Sequence, residues 1–437
     1  MKNRIYALFP AITVMVLLTC NQAFALQPLD AFLKSAGKNN PKNLEATANT
    51  RASNAAAVST LGQLLPSVSI NGSYARNQYE VSVDFPISET VIQTIVISPD
   101  NQFSTSGVIR IPLMDLAGIT RTTAANISAH SAKLQEDNTS LQTEAQVVQA
   151  YYQLVAYVAL VSASEKALDV EKASLLLAQD RFEAGKTASL DLDRARAEVE
   201  RRFQILANAK LQVVVTARSL RSLSGMEPEL SNAPELADDL HEEPPLDSFQ
   251  SAEKDLPGLY AAIEARRAQE KQAVAQRLVL VPLLSFNFSE TGTNASAFSG
   301  HDWTWQGMAM LSWNLDVPTF ARISVQNAQL AAATARETGV RLAVRDAIHR
   351  IWNEVSTGIA RCRSAQTEVA VSERASELAR DRYETGAATQ LDLLQAQRDA
   401  FTAQVTRIQV FAELINARAQ LRIASGHSLI SNTREMQ

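Results

Sequence analysis

The chain has 437 residues, 46% of them hydrophobic and 20% charged, with a formal net charge of −5 and a pI near 5.7. This composition excludes wholesale disorder, the acidic balance excludes a basic nucleic-acid interface, and two cysteines exclude a disulfide framework or a zinc cluster. Fifteen Gly and 14 Pro in so long a chain predict long uninterrupted helices.

Residues 1–25 read as an export signal. Lys2 and Arg4 precede an apolar core from Ala11 to Leu18, and Ala23-Phe24-Ala25 supplies the small-residue cleavage pattern. Cleavage after Ala25 removes two basic residues and no acidic one, taking the net charge to −7. Leu17-Leu18-Thr19-Cys20 carries the alternative, a lipobox that would leave Cys20 lipidated, although Thr19 stands where a smaller residue is expected. After cleavage at Ala25, Cys362 is an isolated thiol between Arg361 and Arg363, with no His near it in sequence. Past Ala25 no apolar run approaches about 18 residues, so no transmembrane helix is expected. The exported chain is then periplasmic, secreted, or a β-barrel in an outer membrane.

The chain is written twice. AQDRFEAGKTASLDLDRA at 178–195 returns as ARDRYETGAATQLDLLQA at 379–396, an offset of 201 shared by Asp115/Asp316, Arg121/Arg322, Gly185/Gly386 and Gly225/Gly426. Upstream the offset is 216, relating Pro41/Pro257, Arg51/Arg267, Pro66/Pro282 and Asn71/Asn287. The first half therefore carries 15 extra residues between Asn71 and Asp115, where an exposed loop is expected. Each half predicts helix, strand, loop, strand, long helix, turn, helix. The boundaries expected are a first repeat over 26–225, an acidic Pro-containing linker over 226–257, a second repeat over 258–426 and a tail over 427–437.

Strand signals come from period-two alternation. Val68, Ile70, Gly72 and Tyr74 alternate with Ser67, Ser69, Asn71 and Ser73; Leu284, Phe286 and Phe288 alternate with Ser285, Asn287 and Ser289. Trp303, Trp305, Gly307, Ala309, Leu311 and Trp313 alternate with more polar neighbours. One apolar and one polar face suit a barrel with lipid outside and water inside, with Trp303, Trp305 and Trp313 as interface anchors. A soluble sandwich uses the same alternation.

Helix signals are stronger. No Gly or Pro interrupts residues 121–182, and Val147, Leu154, Val161, Leu168, Leu175 and Phe182 recur every seven residues. Val199, Leu206, Val213 and Leu220 do so on the return arm, as do Leu394, Phe401, Ile408 and Ile415 in the second half. Sustained heptads predict coiled-coil packing, and sixty such residues span roughly 90 Å. A plain antiparallel hairpin with no conduit would show the same stripe. Four strands per chain are too few to close a membrane barrel, which needs about eight or more, so several chains would share one barrel under cyclic symmetry.

The signal peptide, the duplicated units, LLPSVSINGSY at 64–74 and the pair RFEAGKTASLDLDRARAE and RYETGAATQLDLLQAQRD together resemble the TolC family of outer-membrane efflux channels, over nearly the whole mature chain. The resemblance implies a mainly α protein with a β-barrel part. It would be a homotrimer whose shared 12-stranded barrel in the outer membrane of a Gram-negative bacterium continues into a periplasmic coiled-coil tunnel. It implies passive export of drugs or other small toxic compounds, with a periplasmic adaptor docking on the hairpin tips at Gly185, Lys186, Gly386 and Ala387 and an inner-membrane pump behind it. The linker would lie at the tunnel's equator. The family's acidic tip rings fall on Asp392 and on Gln395, the latter not acidic here, and its basic latch falls on Ala388. Helix capping is the simpler role for Asp392, as for its counterpart Asp191. Alternatives are the exit duct of a type I protein secretion system, or a periplasmic coiled-coil adaptor or scaffold.

No enzyme or cofactor is expected. The five His (130, 241, 301, 349, 427) are scattered, and no H-E-x-x-H, G-x-S-x-G, P-loop or G-x-G-x-x-G stands out. His241-Glu242-Glu243 could touch a metal, but reads better as a solvated acidic loop.

Overall fold

A computed structural model describes residues 26–88, 91–230, 235–251 and 256–429. The export signal with Cys20, Pro234 of the linker and the tail beyond residue 429 lie outside the described residues. In chain order the elements are α1 (Leu29–Asn39), α2 (Pro41–Gly62), β1 (Ser67–Arg76), β2 (Val81–Ser88), β3 (Val91–Ser98), β4 (Asn101–Met114), α3 (Leu116–Glu183) and α4 (Ser189–Ser224). They continue as α5 (Leu246–Ser251), α6 (Pro257–Leu278), β5 (Leu283–Thr293), β6 (Trp303–Ser312), α7 (Val317–Thr385) and α8 (Gln390–Ala424).

The repeat is structural. The long helices α3 and α7 have 68 and 69 residues, and the return helices α4 and α8 have 36 and 35. Equivalent residues do equivalent work. Asp115 caps α3 by accepting from Gly118 N at 2.6 Å, and Asp316 caps α7 by accepting from Thr319 N at 2.9 Å. Both C-terminal turns close on a left-handed glycine, Gly225 at φ +72° and Gly426 at φ +89°.

The 15-residue surplus is not a loop. It folds as the β2–β3 hairpin, a separate two-stranded sheet in which Val83 faces Ile95 and Phe85 faces Gln93. The alternation Val81, Val83, Phe85, Ile87 supports pairing there, and Pro86 is tolerated because a two-stranded ribbon has two edges. The Phe85 ring meets Phe298 of the β5–β6 connection at 6.2 Å.

α3 runs beside α4, α6, α2 and α8. Its middle packs Val147, Val148, Tyr151, Leu154 and Val155 against Phe32 and Leu33 of α1 and Leu220 of α4. Each fully buried side chain of this size contributes roughly 1.5–3 kcal/mol. The expectation that nothing past Ala25 is apolar enough to span a membrane is corrected in α3, which contains an 18-residue window of mean hydropathy 1.3 that passes by length and composition. No charge interrupts the stretch between Glu144 and Glu165, because one side of it forms this core.

The heptad stripe holds through Leu168 and then moves. Towards the tip Ser164, Glu171 and Ala178 are buried, while Leu176 and Phe182 are exposed. There α3 faces the second hairpin as well as α4, and Gln397 of α8 donates to Ser174 Oγ at 2.9 Å. A second core joins Ile348, Val355, Ile359 and Cys362 of α7 to Val410, Phe411 and Leu414 of α8. Cys362 is fully buried and donates to Val410 O at 3.3 Å, and burial pushes its thiol up to about 11.

The acidic linker is packed rather than merely solvated. Leu236, Leu240, Leu246 and Phe249 rest on the second core. Arg418 of α8, 6% exposed, donates to His241 Nε2 at 2.9 Å and His241 O at 2.7 Å, and ion-pairs with Asp238 at 3.0 Å and with Glu243. The ligand atoms of Asp238, Asp239 and His241 lie within 4.8 Å of one another. The Arg418 guanidinium already supplies positive charge beside Asp238 and His241, where it would compete with a cation.

Candidate functional site

The main sheet has the order β1-β4-β5-β6, all antiparallel. Register carries each face across all four strands. Val68, Ile109, Phe288 and Gly307 are direct partners in turn, as are Ile70, Gly107, Glu290 and Trp305. The row Ser69, Val108, Ser289 and Gln306 lies on the other face, as does Asn71, Ser106, Thr291 and Thr304. One face is therefore predominantly aliphatic and aromatic, the other mostly Ser, Thr, Asn and Gln, and among the described residues no helix covers the first. Val68, Ile70, Trp305 and Leu311 are 67%, 79%, 74% and 65% exposed, which in water leaves a large uncompensated apolar patch.

The tryptophans sit at the two ends of β6. Trp303 covers Gly292, where a Cβ would meet its ring at 2.9 Å, and Trp305 stacks on Phe288 at 6.2 Å. Trp313 lies just past the other end and donates from its ring nitrogen to Leu280 O at 2.9 Å. β1 and β6 are the two edges of the sheet, each pairing on one side among the described residues.

At the far end of the helices lie the two tips. Gly185 and Gly386 adopt φ +68° and +83°, which a non-glycine residue enters at roughly 1–2 kcal/mol. Lys186 and Ala387 are exposed beside them. The tips touch through Arg181, which donates to Tyr383 O and lies 4.5 Å over the Tyr383 ring. Tyr383 is 3% exposed and Gln390 2%. The Tyr383 hydroxyl and both amide atoms of Gln390 have no hydrogen-bond partner among the described residues.

Asp392 closes a capping box at the start of α8. Its Oδ2 accepts from Thr389 N at 3.0 Å and from Thr389 Oγ1 at 2.7 Å, and its own N–H donates to Thr389 Oγ1 at 3.2 Å. The Thr389 hydroxyl and backbone N–H hold this exposed carboxyl below the usual aspartate value. Asp392, Gln395 and Asp399 line one groove on α8, with Glu368 of α7 opposite. The resemblance to efflux channels implied Asp392 and Gln395 as tip residues. Asp399 was missed, although seven residues after Asp392 it lies on the same helix face.

Further from the tips a charge cluster is buried between the hairpins, also missed by apolar periodicity. Glu198 of α4, 1% exposed, accepts from Arg398 of α8 at 3.0 Å and from Arg201 at 2.7 Å. Arg202 pairs with Glu171 of α3 at 3.2 Å and lies 4.5 Å over the Phe401 ring. Burial raises the Glu171 carboxyl above its ordinary value, with Arg202 opposing the shift.

The family model described as outer membrane efflux protein matches residues 32–226 and 249–427. The outer membrane efflux protein BepC of Brucella suis is 22% identical, over 75% of this chain and 74% of its own length. Among solved structures, CusC superposes with a TM-score of 0.79 at 16% identity, covering 92% of each chain. The Campylobacter jejuni CmeC outer membrane channel gives 0.78 at 18%, over 94% of this chain and 89% of its own. These likenesses establish a shared fold, mostly helical with antiparallel strands. With the match covering most of both halves of the repeat, the chain belongs to the family of outer membrane efflux proteins.

Proposed function

We propose that three copies of this chain pool their four-stranded sheets into one 12-stranded barrel in the outer membrane, continued into the periplasm as a helical tunnel. The observation that carries this is the sheet itself. It has an apolar face, a polar face and two open edges, and four strands are about half of what the smallest membrane barrel needs. Edge pairing with neighbouring copies satisfies the backbone groups of β1 and β6, puts the apolar face in lipid and lines a water path with the polar one. Ten residues separate Trp303 from Trp313, about 34 Å of strand at 3.4 Å per residue. Tilted by about 40°, that spans the ~25 Å apolar band of an outer-membrane barrel.

In this reading the conduit is passive. An inner-membrane pump supplies the energy, and a periplasmic adaptor docks on the exposed tips around Gly185, Lys186, Gly386 and Ala387. Asp392, Gln395 and Asp399 line the narrowed mouth, where carboxylates repeated by symmetry favour cations. The cargo is small toxic compounds. Deleting the gene then sensitises cells to several unrelated compounds, and the cloned gene restores resistance. Unchanged susceptibility across a broad panel would remove the drug-export role.

A further inference from the structure

The polar face of the sheet carries one charge. Register places Ser67, Arg110, Asn287 and Met308 as direct partners across β1, β4, β5 and β6. On that face of these strands, Arg110 is the one ionisable side chain among the described residues. Arg76 and Glu290 belong to the opposite, apolar face, as the pairs Arg76↔Asn101 and Ile70↔Gly107↔Glu290 require. Arg110 is exposed, and among the described residues its side chain forms no ion pair and no hydrogen bond. Its cross-strand neighbours Ser67 and Asn287 are small and neutral, so nothing on adjacent strands cancels its charge.

An unpaired guanidinium facing water is the form in which a cation acts on passing ions. A paired one serves structure, as Arg202 and Arg418 do elsewhere in this chain. Guanidinium stays charged at every working pH and binds carboxylate, sulfate and phosphate groups through a planar fork. In a bore with low-dielectric walls its field is focused along the water path.

We propose that Arg110 is a charge-selecting residue of the barrel, favouring cargo that bears an anionic group. This rests on the trimeric reading above, in which three copies of Arg110 form a ring near the periplasmic end of the barrel. That ring has the opposite sign to the acidic groove at the tips. The two in series pass molecules carrying both charges, or anions once the mouth is open.

The test uses purified full-length protein in planar bilayers under a KCl gradient, at ionic strengths where the Debye length is about 10 Å or more. Reversal potentials are compared for wild type, Arg110→Gln, Arg110→Glu and Arg110→Lys. Each is also measured with Asp392→Ala, so that the mouth no longer dominates the sign. The chloride-to-potassium permeability ratio falls severalfold in Arg110→Gln, falls further in Arg110→Glu, and is retained in Arg110→Lys. Equal ratios in wild type, Gln and Glu channels that conduct normally would overturn the role of Arg110 and leave the trimeric conduit standing. Wild-type protein that yields no conductance would overturn the conduit and this inference together.

Discussion

Arg398 of α8 directs two guanidinium nitrogens at one oxygen of Glu198 on α4, tying the second hairpin to the first across 200 residues of sequence. Glu198 is buried, and it also faces Arg201 and Arg202. Removing the carboxylate leaves the buried Arg202 paired with Glu171, while Arg201 and Arg398 are about half exposed and stay solvated. Glu198→Ala is expected to cost roughly 1–3 kcal/mol, the range of a charged hydrogen bond lost from a partly solvated cluster. Urea unfolding of the solubilised protein measures this, and a loss below about 1 kcal/mol would mean that water reaches the seam.

Cys362 makes a chemical prediction. Its thiol is fully buried and pushed up to about 11, so it holds little thiolate at neutral pH. A maleimide reagent is expected to leave the folded protein unlabelled and to label it once denatured. Rapid native labelling of Cys362 would contradict the packing of α7 on α8.

Gln390 is buried at the start of α8, and neither of its amide atoms has a hydrogen-bond partner among the described residues. An unsatisfied buried polar group costs about 1–3 kcal/mol. Gln390→Leu is therefore expected to raise thermal stability, by an amount within that range. A lower melting temperature would show that the amide has a partner in the assembled protein.

These features differ in how far the sequence revealed them. The duplication, both tip glycines and the two-faced strands were legible because each leaves a local or periodic trace. The β2–β3 hairpin also left one, Val81, Val83, Phe85 and Ile87, which the Pro at 86 obscured. Nothing local announced that Arg418 would bind a linker 175 to 180 residues upstream. Apolar periodicity likewise passed over Glu198 and Arg202, since it scores charged residues as surface. Asp392 was legible as a tip acid, while its capping box became visible with the Thr389 geometry.

The capping box and a charge effect at the mouth can be separated. Asp392→Asn keeps an oxygen acceptor and loses the charge, whereas Thr389→Ala breaks the box and keeps the charge. If the carboxylate acts on ions, Asp392→Asn lowers cation preference in bilayers and Thr389→Ala does not. Equal effects of the two would assign Asp392 to capping alone. The sign with pH follows from the lowered carboxyl. Its contribution to the start of α8 is complete above the ordinary aspartate value of about 3.9 and disappears as pH falls through the lower folded-state value. Amide exchange at the α8 N-terminus, followed during acidification, reads this directly.

The mass of the detergent-solubilised particle bears on the central claim most directly. Native mass spectrometry is expected to find three copies of the mature chain, held together until heated. A stable single copy whose four strands remain folded and closed to partners would contradict it.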